Sequence, residues 1–280
     1  MGKNKLRKFA EMENIEFVFQ YPFSRLNEEG FPLRGRWHED FFRNDKPITL
    51  ELGCGKGEYA VGLARRHPEG NYIGVDIKGA RMYTGASAAQ AEGLGNIAFV
   101  RTSIELIDRF FAPGEVSEIW ITFPDPQMKK VRKRLTSTRF LDLYRKILVE
   151  GGRINLKTDS PFLYTYTRLL CEANRGAIEV DVISDDLYGA TEAMPLDLDI
   201  RTHYEQQWLD RGLTIKYIRF APDAATALAE PEAEIEFDTY RSYSRGELQM
   251  PALVGLASHP GADAINRVPT LIKHDELENI

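Results

Sequence analysis

The sequence predicts an α/β protein whose sheet is doubly wound and mostly parallel, with helices on both faces. Between residues 47 and 220, short apolar segments of strand length alternate with longer segments of helical periodicity. A glycine-rich turn joins the first of these strands to the first helix, and polar residues directly follow several later strands. Sheets of this kind bind ligands at the carboxyl ends of their strands, so these polar residues are candidates for a site.

The alternating pattern predicts seven strands and seven helices. The strands span residues 47–52, 72–75, 97–100, 118–122, 153–157, 178–183 and 214–220. The helices span residues 36–43, 58–66, 78–92, 104–111, 138–149, 161–173 and 202–211. We expect Gly151 and Gly152 to end the helix 138–149, because glycine commonly follows the last turn of a helix.

The chain divides into three regions. Residues 1–46 form a basic N-terminal arm and a connector, residues 47–220 form the α/β domain, and residues 221–280 form an acidic extension for which the sequence indicates no role. Residues 1–13 are predicted to form a short basic helix or arm, which is either a solvated terminus or a segment that contacts a polyanion. Its cations precede the first acidic residue and are Lys3, Lys5, Arg7 and Lys8.

The net charge of −6 is unevenly distributed along the chain. Residues 221–280 contain 11 acidic and 4 basic residues, whereas residues 1–220 contain 31 acidic and 32 basic residues. The acidity therefore belongs to the extension. Basic clusters in the first 220 residues can still bind phosphate groups, because the local field matters more than the total charge.

The composition is that of a globular protein with a sizeable core, since 43% of the residues are hydrophobic and 28% are charged. No run of 18 apolar residues predicts a membrane span, and the start of the chain lacks the apolar region of a secretory signal. Two cysteines, Cys54 and Cys171, are too few for a disulfide framework or a metal cluster. We therefore expect a cytoplasmic protein.

The glycine-rich turn has the sequence ELGCGKG at residues 51–57. Gly53 and Gly55 allow the backbone to turn tightly and a ligand to approach closely. A dinucleotide fingerprint of the G-x-G-x-x-G type would need glycine at position 58, where this chain has Glu58. A nicotinamide cofactor and a turn without a ligand are the alternatives at this point.

Three side chains near the strand ends suit a different ligand. Glu51, two residues before the first glycine, can face a positively charged group, and Asp76, after the second strand, can hydrogen-bond a ribose diol. Ser103 follows the third strand and can reach an adenine ring. The pattern strand–ELGCGKG–helix–strand–Asp resembles the class I S-adenosylmethionine-dependent methyltransferases. The resemblance implies a Rossmann-like methyltransferase fold and places the cationic amino acid portion of S-adenosylmethionine beside Glu51.

The fourth strand leads into the sequence FPDP at residues 123–126. Pro124 and Pro126 restrict the backbone on both sides of Asp125, which suits a carboxylate that must be held still. A rigid turn is the alternative. A run of cations follows without an intervening acid, which favours a grip on a polyanionic substrate beside a reaction site over a solvated face. These cations are Lys129, Lys130, Arg132, Lys133, Arg134 and Arg139.

Three motifs make the resemblance more specific. FPDP with its basic run, LKTD at residues 156–159 and IRTHYE at residues 200–205 resemble the tRNA (guanine-N7)-methyltransferases, over roughly residues 1–220. The resemblance implies methyl transfer to guanine 46 in the variable loop of tRNA, with Asp125 as the catalytic residue. It also implies that the cofactor is bound by Glu51, Gly53, Gly55, Asp76, Ser103 and Asp125, and the substrate by Lys129, Asp159, Thr202, His203, Tyr204 and Glu205. We expect Arg132, Lys133 and Arg134 to contact RNA phosphates.

The sequence departs from the family pattern at three points. Gln127 stands where the family usually has Trp, Ser103 stands where it has Asp or Asn, and His203 interrupts its T-K-[FY]-E motif. We expect tRNA as partner, no metal, no membrane, and a monomer or a homodimer. A class I methyltransferase with another RNA, a small molecule or a protein as substrate is the first alternative. A binding protein that has lost catalysis is the second.

Overall fold

The computed structural model describes residues 2–189 and 197–239 and contains an eight-stranded sheet. The strands lie in the order β1-β4-β3-β2-β5-β6-β8-β7. All pairs from β1 to β6 are parallel, and β8 is antiparallel to both β6 and β7. The strands are β1 (Val18–Gln20), β2 (Ile48–Leu52), β3 (Asn71–Val75), β4 (Ile97–Arg101), β5 (Val116–Thr122), β6 (Leu148–Thr158), β7 (Ile178–Ser184) and β8 (Lys216–Pro222).

Helices cover both faces of this sheet. They are α1 (Gly2–Glu13), α2 (Phe23–Glu29), α3 (Glu58–Arg66), α4 (Gly79–Glu92), α5 (Thr138–Arg145), α6 (Pro161–Ala173) and α7 (His203–Leu209), with a π-helix at Trp37–Phe42 and 3-10 helices at Ile104–Arg109 and Val131–Lys133. Side chains alternate along β5, so that Ile119 and Ile121 join one apolar cluster and Trp120 joins the other. The predicted doubly wound, mostly parallel architecture is confirmed. No helix within the two described ranges is both long and apolar enough to cross a membrane.

The N-terminal region contains the strand β1 and the helix α2, which the sequence did not predict. β1 adds a parallel edge strand beside β4, and the Phe19 ring lies 5.7 Å from Phe31 and 5.3 Å from Trp37. The arm forms α1, which contacts α4 and buries Met12. The ammonium of Lys8 lies 5.5 Å from the ring centroid of Tyr83. The side chains of residues 1–6 lie outside the described part, so a contact between the arm and RNA stays a prediction.

The prediction that Gly151 and Gly152 end a helix is wrong. α5 ends at Arg145, and β6 already begins at Leu148, which pairs with Val116 of β5. The register then shifts, and Glu118 pairs with Arg153. Gly151 has a φ of +70° within this irregular stretch. Pairing with β5 therefore decides the conformation here, and glycine supplies the left-handed residue of a bulge rather than of a helix cap.

The predicted boundary at residue 220 falls inside β8, and the chain beyond it stays on the domain. Ala221 pairs with Glu179 of β7, and residues 223–239 run over α5 and α6. Residues 240–280, where the acidic extension continues, lie outside the described residues.

Candidate active site

The glycine-rich turn leaves open space at the carboxyl end of β2. Gly53, Gly55 and Gly57 have φ values of +77°, +55° and +70°, which favour glycine. The backbone N–H groups of Gly53 and Cys54 both donate to the carbonyl of Val75, which fixes the turn against β3. A Cβ on Gly53 would meet no atom within 4 Å, and one on Gly55 would meet only a carbonyl oxygen at 3.9 Å. A ligand can therefore approach the backbone of this turn.

Asp76 connects the end of β3 to the turn. Its Oδ2 accepts a hydrogen bond from the Gly55 N–H at 2.9 Å, and its Oδ1 accepts one from the Lys78 N–H at 2.7 Å. Ser103 follows β4, the strand beside β3, and its hydroxyl does not cap the helix that begins at Ile104. The predicted cofactor residues Gly53, Gly55, Asp76 and Ser103 thus follow three adjacent strands at one edge of the sheet.

Glu51 lies beneath the turn with an exposed fraction of 2%. Its Oε1 accepts from the Thr122 hydroxyl at 2.7 Å and its Oε2 accepts from the Ala60 N–H at 2.9 Å. Burial raises the pKa of the Glu51 carboxyl to about 7, while these two hydrogen bonds act in the opposite direction. Glu51 therefore joins β2 to the end of β5 and to the start of α3.

We call residues 123–134 the FPDP loop. Phe123 and Gln127 have φ values of +50° and +49°, which are uncommon for residues with a Cβ, so the backbone is strained on both sides of Asp125. Asp125 is exposed, and its Oδ1 accepts from the Gln127 N–H at 3.0 Å. The Phe123 N–H donates to the carbonyl of Lys157 at 2.8 Å. The loop therefore presents the Asp125 carboxylate to solvent from a constrained backbone.

The cations of the FPDP loop fall into two groups. Lys129 and Arg132 are exposed, and Lys133 is more than half exposed although it pairs with Glu105 at 2.8 Å. Arg134 is buried, and its guanidinium donates to the carbonyls of Gln127 and Met128 at 3.2 and 2.7 Å.

Arg134 also lies over two aromatic rings, at 4.7 Å from the centroid of Phe162 and 4.4 Å from that of Tyr166. The predicted phosphate contact of Arg134 does not fit this geometry, because its donors are directed at the loop's own backbone. Gln127, which replaces the aromatic residue of the family pattern, has both its N–H and its carbonyl bonded within the loop.

The LKTD motif ends β6 next to the FPDP loop, and Asp159 is buried at the start of α6. Residues 202–205 of the IRTHYE motif begin α7 with a capping box. The Thr202 hydroxyl accepts from the Glu205 N–H at 3.1 Å, and a Glu205 carboxylate oxygen accepts from the Thr202 N–H at 3.3 Å. His203 is exposed, and Tyr204 is partly exposed with its ring 5.8 Å from that of Phe123. The segment therefore borders the FPDP loop.

Known proteins resemble most of this chain. Residues 45–218 match a family described as "Putative methyltransferase". A tRNA (guanine-N(7)-)-methyltransferase of Porphyromonas gingivalis is 65% identical over 239 residues, which cover 84% of this chain and 96% of that protein. Proteins of the same name from Bacteroides fragilis and Cytophaga hutchinsonii are 57% and 40% identical, covering 88% and 79% of this chain and 97% and 98% of their own lengths.

This chain belongs to the tRNA (guanine-N7)-methyltransferase family. The resemblance inferred from the three motifs is confirmed. The structure places the motifs of this family member around one edge of the sheet. The FPDP loop lies between the glycine-rich turn and the segment 202–205. Thr122, the residue before the loop, bonds Glu51, and Phe123, the first residue of the loop, packs against Tyr204.

Two residues of this methyltransferase family member were missed by reasoning from sequence. Lys157 is buried, and its ammonium donates to the carbonyls of Leu198 and Ile200 and pairs with Glu205. Tyr188 donates its hydroxyl hydrogen to Glu205 at 2.6 Å. A lysine within a predicted strand of the sheet was the available signal for Lys157, because a buried charge needs partners. Tyr188 gave no such signal. Among the described residues, no group of three or more His, Cys, Asp or Glu is placed to hold a metal ion.

Proposed function

We propose that this chain transfers the methyl group of S-adenosylmethionine to N7 of guanine 46 in the variable loop of tRNA. The observation that carries the proposal is the exposed Asp125 carboxylate on the FPDP loop. Beside this loop, Thr122 bonds Glu51 below the open glycine-rich turn, and Phe123 packs against Tyr204. Membership in a family whose relatives bear the name tRNA (guanine-N(7)-)-methyltransferase supports the choice of substrate.

The turn suits S-adenosylmethionine in shape and in chemistry. The space beyond Gly53 and Gly55 admits a ligand close to the backbone. Asp76 is half-buried there and would hold the ribose hydroxyls, Ser103 would contact the adenine, and Glu51 would favour the cationic amino acid portion. When bound, S-adenosylmethionine supplies an electrophilic methyl group on a sulfonium.

Asp125 would act on the guanine. N7 of neutral guanine carries a lone pair and no proton, so the reaction needs no general base. The Asp125 carboxylate would accept hydrogen bonds from the N1–H and the amino group of the guanine, which orients N7. Its negative charge would also stabilise the positive charge that develops on the purine ring. The constrained backbone on both sides of Asp125 keeps the carboxylate ready for both tasks.

The tRNA would lie across the exposed cations of the FPDP loop. Lys129 would contact the substrate nearest the site, and Arg132 and Lys133 would contact phosphates.

His203 and Tyr204 present the exposed side chains of the segment 202–205, whereas Thr202 and Glu205 hold its shape. Asp159 would support the substrate pocket from the end of β6. The cytoplasmic location and the oligomeric state stay predictions.

The experiment is to incubate the protein with labelled S-adenosylmethionine and bulk tRNA, and to locate the label by nuclease digestion and mass spectrometry. We expect 7-methylguanosine at position 46. A variant tRNA with adenine at that position is the matched control and should take up no label. Label at another nucleotide, in a protein or in a small molecule would favour the alternative methyltransferases, and no label at all would favour a binding protein.

A further inference from the structure

Residues 229–238, which we call the strap, lie along α6 from its last residue to its first. At the C-terminal end of α6, Asn174 exchanges two hydrogen bonds of 2.8 Å with the backbone N–H and carbonyl of Ala229. At the N-terminal end, Asp238 is bonded to Ser160 and Phe162. The Phe237 ring packs edge-on against Phe162 at 5.6 Å. The strap belongs to the region that the sequence left without a role.

Asp238 caps α6. The exposed fraction of this residue is only 8%. One carboxylate oxygen accepts from the Phe162 N–H at 3.0 Å, and the other accepts from the Ser160 hydroxyl. Ser160 in turn accepts from the Leu163 N–H at 3.0 Å. A negative charge at this end of a helix is favourable because unbonded N–H groups and the helix dipole meet there.

Glu230 makes the equivalent contact to α5. Its Oε1 accepts from the N–H and the hydroxyl of Thr138 at 3.1 and 2.7 Å, and its Oε2 accepts from the Tyr166 hydroxyl at 2.5 Å. Thr138 is the first residue of α5 and follows the FPDP loop closely. The strap therefore places one carboxylate at the start of each of two helices, one after the FPDP loop and the other after LKTD.

The strap also reaches the FPDP loop itself. The Asp238 N–H donates to the Met128 sulfur at 3.1 Å. The strap contacts Phe162 through Phe237 and Tyr166 through Glu230. The guanidinium of Arg134 packs on these same two rings, Phe162 and Tyr166. Arg134 then holds the carbonyls of Gln127 and Met128. The strap is thus connected to the residues that follow Asp125 in two ways, directly through Met128 and indirectly through Arg134.

We propose that the strap positions the FPDP loop for methyl transfer, with Asp238 as its main positioning residue. The proposal rests on the proposed function of Asp125. The proposal gives two acidic residues of the strap a structural role. Glu230 and Asp238 bind the N-terminal ends of α5 and α6 next to the site, so their charges are directed at these helices and not at RNA. The remaining acids of the strap, Glu232, Glu234 and Glu236, are exposed.

The test compares Asp238→Ala with Asp238→Asn and with Glu234→Ala, which removes the same charge from an exposed position. Initial rates with tRNA give kcat and KM, and calorimetry gives the Kd for S-adenosylmethionine. Limited trypsin digestion well below the melting temperature, followed by mass spectrometry, gives the cleavage rate after Lys129 and Lys130.

For Asp238→Ala we expect kcat to fall about tenfold, because a small displacement of the reacting group is sufficient for such a loss. The Kd for S-adenosylmethionine should change less than about twofold, and cleavage after Lys129 and Lys130 should accelerate several-fold. Asp238→Asn should recover only part of both effects, because it retains an acceptor for the Phe162 N–H but lacks the negative charge at the start of α6. Glu234→Ala should behave as the wild type.

Three results would overturn the proposal: wild-type kcat and cleavage in Asp238→Ala, equal acceleration of cleavage along the whole chain, or the same changes in Glu234→Ala. If Asp238→Ala does not fold, Asp238→Asn provides the test. Wild-type kcat and wild-type cleavage in Asp238→Asn would overturn the proposal. A partly reduced kcat with partly accelerated cleavage after Lys129 and Lys130 would support it. Wild-type protein that does not methylate tRNA, combined with selective loop cleavage in Asp238→Ala, would refute the proposed function and leave the strap's hold on the loop intact.

Discussion

Lys157 and Glu205 form an ion pair of 2.8 Å although neither side chain is exposed to solvent. The Lys157 ammonium also donates to the carbonyls of Leu198 and Ile200 at 2.8 and 3.1 Å. Burial lowers the pKa of Lys157, and the attraction of Glu205 opposes this shift. A single lysine at the end of β6 thus holds the loop that leads into α7 and the segment 202–205.

Replacing this lysine should destabilise the protein and weaken tRNA use. We expect Lys157→Met to lower the free energy of unfolding by about 3–5 kcal/mol in urea titrations, because Glu205 remains buried without its counter-ion. The KM for tRNA should rise, since the segment 202–205 loses its anchor. Adding Glu205→Gln to Lys157→Met should lower the free energy of unfolding by less than Glu205→Gln lowers it in the wild-type protein. Lys216→Met on the neighbouring β8 is the control, and an equal loss there would contradict the special role of Lys157.

Removing the charge of Asp125 should abolish most methyl transfer without unfolding the protein. Asp125→Asn keeps an acceptor for the Gln127 N–H, so the loop should retain its shape. We expect kcat to fall about a hundredfold or more, because stabilisation of the developing positive charge is lost. Asp45→Asn, an exposed aspartate just before β2, is the control. Near wild-type rates of tRNA methylation in Asp125→Asn would rule out the assignment.

The cations of the FPDP loop should separate into two functions. The double variant Arg132→Ala/Lys133→Ala should reduce the slope of log Kd for tRNA against log salt by about 2, one for each phosphate contact. Arg134→Ala should leave that slope unchanged and lower kcat, because its donors hold the loop backbone. Lys46→Ala, just before β2, provides the control. An unchanged slope in the double variant would assign these cations to a solvated surface.

Glu51 should weaken stability while it favours cofactor binding. Its pKa in the folded state is about 7, above the ordinary value of 4.5. The stability that depends on this group is therefore complete below pH 4.5 and is lost as the pH rises through 7.

We expect Glu51→Gln to raise the free energy of unfolding at pH 8 by about 1–3 kcal/mol and to change it little at pH 4.5. The same variant should bind S-adenosylmethionine more weakly at pH 8, because the carboxylate charge is absent. Urea titrations at both pH values and calorimetry measure the two effects, with Glu150→Gln as an exposed control. A variant less stable than the wild type at pH 8 would contradict the prediction.

Local patterns predicted most of the sheet because they depend on neighbours in sequence. The strand around Leu50, the turn at Gly53–Gly57 and the helix that starts at Glu58 follow from periodicity and glycine chemistry, and the structure has them where expected. β1 was missed because its three residues become a strand only by pairing with β4. The end of α5 was misplaced because pairing of Leu148 with Val116 outweighs the helical pattern that continues past Arg145.

The sequence was sufficient to identify the family and the order of its motifs. It also predicted the edge of the sheet at which the glycine-rich turn, FPDP and LKTD meet, because each of these motifs lies at the carboxyl end of a strand. The tertiary structure alone decided which charges face solvent. Arg132 and Arg134 are two positions apart in a single basic run, yet Arg132 is exposed and Arg134 lies against Phe162 and Tyr166. The tertiary structure also places Glu230 and Asp238 at the N-terminal ends of α5 and α6, beside the site. Burial and long-range pairing set these roles, and neither can be read from neighbouring residues.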